Sequence, residues 1–80
     1  MAEFNIVLDN RLYLKQAVLE AKTMFSRYAE FQTNIVDFNN IQIKIKTKHS
    51  FDSNLREIVL EFMNYALDRS VQIQQEKEQL

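Results

Sequence analysis

A chain of 80 residues with 46% apolar side chains, 26% charged side chains and a net charge of −1 is a single small globular domain. That balance gives no global pull toward nucleic acid or an anionic membrane. Cysteine is absent, which excludes disulfides, thiolate nucleophiles, iron–sulfur ligation and thiolate zinc sites; glycine is absent, which excludes glycine-rich phosphate loops. A domain this short buries only about 60–65% of the surface its unfolded chain exposes. Met1-Ala2-Glu3-Phe4 lacks the basic start and apolar core of a signal peptide. No apolar run approaches the roughly 18 residues needed to cross a bilayer. A cytoplasmic protein is expected. With neither glycine nor proline, turns that need positive φ fall to asparagine.

Residues 4–9 read as a first strand with Phe4, Ile6 and Leu8 on one face. Asp9-Asn10 breaks it, and either residue could cap the helix that follows. From Leu12 to about Tyr28 the residues Leu14, Ala17, Val18, Ala21, Met24, Phe25 and Tyr28 recur at three- and four-residue spacing, the pattern of an amphipathic helix. Residues 31–38 form a second strand, joined through Asn39-Asn40 to residues 41–48, where Ile41, Ile43 and Ile45 alternate with Gln42, Lys44 and Lys46. A two-residue turn on Asn39-Asn40 puts Val36 and Phe38 on the isoleucine face. A three-residue loop of Phe38, Asn39 and Asn40 puts Phe31, Thr33 and Ile35 there instead. The two-residue turn is the preferred reading.

Asp52 or Ser53 is the expected N-cap of a second helix, which packs through Leu55, Ile58, Val59, Phe62, Met63, Ala66 and Leu67. Residues 1–70 make the single α+β domain. Residues 71–80 extend the helix, fray, or place a short fourth strand at 71–74. The order β-α-β-β-α, with the right-handed crossover rule, sets strands one and three side by side and parallel, in the sheet order 1-3-2. The expected fold is a two-layer half-sandwich, ferredoxin-like without the last strand, with both helices on one face. Strand one then keeps an unpaired edge, and the opposite sheet face stays uncovered.

Lys44, Lys46 and Lys48 would form a cationic stripe on that open face, suited to an acidic partner or to plain solvation. The aromatic residues that stack on bases are missing between them, so nucleic acid is the weaker partner class. His49, the single histidine, stands at the strand–helix junction and reads as a loop residue without a catalytic role. Glu57, Glu61 and Asp68 line one face of the second helix as a solvated acidic ridge. The aromatic residues Phe25, Tyr28, Phe31, Phe38, Phe51, Phe62 and Tyr65 are mostly core by spacing, and Tyr13 is the first expected to be exposed. No nucleophile–base pair and no cofactor or metal site is encoded.

Two stretches carry a family resemblance. Residues 12–21, Leu-Tyr-Leu-Lys-Gln-Ala-Val-Leu-Glu-Ala, running into Met24-Phe25-Ser26-Arg27-Tyr28, resemble the first helix of HxsD proteins. Residues 60–69, Leu-Glu-Phe-Met-Asn-Tyr-Ala-Leu-Asp-Arg, resemble that family's second helix, with its Phe-x-Asn-x-x-Leu-Asp segment. HxsD proteins are small accessory components of bacterial His-Xaa-Ser peptide-maturation systems. The resemblance implies a non-catalytic accessory or adaptor that binds a peptide or a radical S-adenosylmethionine enzyme, and it singles out Asn64, Asp68 and Arg69 as contact residues. The alternative is a structural homodimer joined through the strand-one edges or the open sheet faces.

Overall fold

The computed structural model describes residues 2–78. The elements run β1 (Glu3–Asp9), α1 (Lys15–Met24), β2 (Ala29–Ile35), β3 (Asn40–Thr47), a 3-10 helix (His49–Asn54) and α2 (Leu55–Glu78). The α+β order and the sheet order β1-β3-β2 are as the sequence predicts. Ile41, Ile43 and Ile45 are buried beneath the helices together with Ile6 and Leu8 of β1. Val18 and Ala21 of α1 and Ile58, Val59, Phe62 and Ala66 of α2 close the same core.

The predicted direction of the central pairing is wrong. β1 runs antiparallel to β3, and so does β2. The crossover rule governs the two strands that α1 connects, β1 and β2, which are indeed parallel to each other. β3 enters between them and opposes both, which makes a split βαβ unit.

The hairpin register also departs from the preferred reading. Ile35 pairs with Ile41, Thr33 with Ile43 and Phe31 with Ile45, so β2 turns Phe31, Thr33 and Ile35 toward the helix side. β2 ends at Ile35, and Val36, Asp37, Phe38 and Asn39 make a four-residue loop. The Asp37 carboxylate accepts from the Asn39 N–H (2.8 Å) and from the Asn40 side-chain amide (3.1 Å). This side-chain closure replaces the positive-φ asparagine turn, and no residue with positive φ occurs among the described residues. Phe38, expected in the core, is 97% exposed at the tip, while Tyr13 packs against the core.

Neither helix starts where the sequence reading put it. Leu12 and Tyr13 both donate their N–H groups to the Asp9 carbonyl, and the Asp9 carboxylate takes the Arg11 N–H (2.8 Å) and guanidinium (2.7 Å). Asp9 is therefore spent on a turn, and α1 begins only at Lys15 with no side-chain cap. The buried Ser70 hydroxyl of α2 takes over: it accepts the Leu14 N–H at 2.9 Å and donates to the Ala66 carbonyl at 2.7 Å. α1 ends at Met24, short of the expected Tyr28, because residues 25–29 close as turns on the Phe25 carbonyl.

Asp52 does not cap α2 either, since the 3-10 helix runs directly into Leu55. Its carboxylate instead accepts from the buried Thr47 hydroxyl and the Ala2 N–H. Residues 71–74 are helical, not a fourth strand, and α2 continues to Glu78 with Ile73 buried. The end of the predicted tail, residues 79 and 80, lies outside the described residues.

The aspartates that organise these loops predict an acid limb. Hydrogen bonds from the Arg11 guanidinium and N–H bring the Asp9 carboxyl down to about 2. The Asn39 N–H and Asn40 amide lower Asp37, and the Thr47 hydroxyl and Ala2 N–H lower Asp52. A carboxyl lowered in the folded state stabilises the fold above its unfolded pKa of about 4, and that contribution is lost as pH falls through the folded value. The melting temperature is therefore expected to drop between about pH 4 and pH 2. Asp9→Asn should make that decline shallower in a calorimetric pH series.

Candidate functional site

Edge geometry follows from the alternation of an antiparallel ladder, in which every second residue bonds its neighbour and the residues between point their N–H and C=O away. The Thr47 N–H donates to the Ala2 carbonyl and the Asn10 N–H to the Asn39 carbonyl, which places the even-numbered β1 residues in bonded pairs with β3. Glu3, Asn5 and Val7 consequently turn their backbone groups outward along the β1 edge. Directly beside that edge lies an apolar trough of about 500 Å3, lined by Phe4, Ile6, Leu55, Arg56, Val59, Leu60 and Met63. Phe4 is 47% and Leu60 52% exposed along it. A strand laid against β1 would meet outward backbone groups and cover this apolar floor.

The six residues singled out from sequence do not form one surface. Lys44 and Lys46 lie on the open sheet face, but their neighbours are acidic or amide side chains. Lys44 bonds Glu3 at 3.1 Å, and Lys46 sits between Glu3 and Glu30 in register. The open face is thus a mixed-charge surface and not a cationic stripe. Lys48 lies beyond the end of β3, where its N–H donates to the Tyr28 carbonyl. Asn64 and Asp68 are exposed on α2, on the layer opposite the lysines, in line with exposed Glu57 and Glu61. Arg69 is engaged internally: its guanidinium donates to Glu20 of α1 at 3.0 Å and lies 3.7 Å from Glu76. His49 is exposed, 3.6 Å from Asp52.

Sequence reading anticipated the open β1 edge and missed the trough. The available signal was Leu60, which stands outside the Ile58–Val59–Phe62–Ala66 stripe yet is apolar. A second cleft, of about 660 Å3, opens beside β2 and is lined in part by Val18, Leu19, Thr33, Ile35 and Phe38. Among the described residues no group of three or more His, Cys, Asp and Glu side chains is gathered to hold a metal, and no helix is long and apolar enough to cross a membrane. No family model, curated protein or solved structure matches the chain.

Proposed function

We propose that the chain is a non-catalytic accessory protein of a bacterial peptide-modification system, cytoplasmic and similar to HxsD, that holds an extended peptide for a radical S-adenosylmethionine enzyme. The observation that carries this reading is the β1 edge with its apolar trough. Addition of a strand uses main-chain hydrogen bonds for affinity and alternate side-chain pockets for selection. Here the outward N–H and C=O groups of Glu3, Asn5 and Val7 supply the first, and Phe4, Val59, Leu60 and Met63 supply the second. The preferred occupant is a segment with apolar residues at alternate positions. A second β1 is a poor occupant, because full self-pairing centred on Ile6 sets Glu3 against Asp9 of the other copy, and like charges directly opposite are destabilising.

The test is a titration of the purified chain with a fluorescent His-Xaa-Ser peptide and, separately, with the modifying enzyme. Binding is expected, and Asn5→Pro and Leu60→Glu should each weaken it by at least about tenfold. Asn5 is the right place for proline, since its N–H points away from β3 and an edge strand tolerates the loss. Failure of both the peptide and the enzyme to bind would sink the reading.

A further inference from the structure

The second edge of the sheet is built differently. The Lys48 N–H donates to the Tyr28 carbonyl and the Val36 N–H to the Asn40 carbonyl, so the even-numbered residues of β2 bond β3. Phe31, Thr33 and Ile35 therefore turn their backbone groups outward. Soluble proteins blunt such an edge with lysine, proline, bulges or a covering segment. β2 has none of the first two, and its single charge is Glu30. Around its end the apolar side chains Leu19, Ile35, Val36 and Phe38 are all exposed, Ile35 by 80%.

We propose that this edge is a homodimer interface, in which β2 pairs antiparallel with β2 of a second copy about a two-fold axis at Thr33. The register follows from the outward hydrogen-bonding groups of β2. Outward-facing residues must pair with outward-facing residues, which puts the axis at a residue, and axes at Gln32, Thr33 or Asn34 give the longest overlaps. An axis at Gln32 would call on the Ala29 N–H, already given to the Phe25 carbonyl. An axis at Asn34 would pair Phe31 with Asp37, a residue of the loop. The axis at Thr33 bonds Thr33 to its symmetry mate and Phe31 to Ile35 of the other copy, twice over, using only residues of β2.

The same register decides for a second copy over an unrelated partner. Phe31 and Ile35 meet on the helix side as an aromatic–β-branched cross-strand pair, the favourable kind. On the open face Gln32 meets Asn34, and Glu30 meets Val36, so no like charges are opposed. The apolar clefts beneath Thr33 and Ile35 adjoin across the axis and become one layer under a six-stranded sheet. An isologous contact of this type closes on itself and leaves both β1 edges at the far ends, free for the peptide.

Sedimentation velocity on a dilution series of the full chain tests this. The wild type should dissociate reversibly from dimer to monomer. Thr33→Lys sets two ammonium groups across the axis, and Thr33→Pro removes the N–H of the axial pair while sparing the β3 ladder. Each should weaken association by at least about tenfold, with the far-ultraviolet dichroism and monomer melting temperature unchanged. A wild type that stays monomeric throughout the series overturns the proposal. So does a dimer that both Thr33 variants leave intact, or one that Asn5→Pro dissolves in their place. Peptide titration of Thr33→Lys separates the two readings, because binding at β1 does not require the β2 contact.

Discussion

Replacing Phe62 by alanine is expected to remove about 3–5 kcal/mol of folding stability. Phe62 is fully buried at the centre of the core. Its ring stacks on Phe31 of β2 with centroids 4.6 Å apart and meets the edge of Phe25 at 6.2 Å. One side chain thus ties α2 to the sheet and to the end of α1. A domain of 80 residues has a total stability of roughly 4–12 kcal/mol, so this loss is a large share of it. The surrounding groups have little freedom to refill the space, because Phe31 is fixed by the β2–β3 register and Phe25 also packs on Tyr65 at 6.2 Å. Urea titration should show a midpoint lowered in proportion, with Phe62→Leu losing distinctly less. A loss below about 1 kcal/mol for the alanine variant would show that the rings collapse into the cavity.

Ser70→Ala is the second large effect, and it comes from a single hydroxyl. Ser70 is buried, and its oxygen satisfies the Leu14 N–H where α1 starts without a cap of its own. Alanine leaves that donor with no acceptor, a cost of about 1–3 kcal/mol. Its better helix propensity within α2 returns only about 0.5 kcal/mol. The net loss should therefore be about 0.5–2.5 kcal/mol by urea titration. Amide exchange distinguishes the cause: the Leu14 N–H should exchange faster in the variant, while amides in β3 change only with global stability. An unchanged Leu14 amide would contradict the capping role.

The fold was legible where side-chain periodicity and burial agree. Ile41, Ile43 and Ile45 announce a half-buried strand, and all three are in the core. It was not legible where a polar side chain had two competing uses. Asp9 and Asp52 each read as a helix cap in sequence, and Asp37 as part of the second strand. The structure spends them on Arg11, on Asn39 and Asn40, and on Thr47 with Ala2. Those choices depend on groups brought together by tertiary contact, as the span from Ala2 to Asp52 shows. The α1 cap was out of reach for the same reason, since its acceptor lies 56 positions away at Ser70.

The candidate site divides along the same line. An open β1 edge follows from element order alone. The trough beside it needs Phe4 and Leu60 to come from opposite ends of the chain onto one rim, which no local pattern encodes. The lysine stripe failed in the opposite sense. Its alternation was read correctly, but the glutamates that neutralise it, Glu3 and Glu30, belong to the flanking strands.

The position of β3 between its two neighbours also fixes how the sheet can assemble. β2 and β3 are joined by a four-residue loop, so their ladder closes cheaply in entropy. β1 must be gathered from the far side of α1 and the hairpin, which makes its pairing the non-local one with the larger loop to close. The strand that carries the proposed peptide edge is thus held by the least local pairing of the sheet, and a ligand seated there would stabilise that pairing. Occupancy and folding would be coupled through one strand, so that the amount of intact protein itself would rise with any peptide bound at that edge.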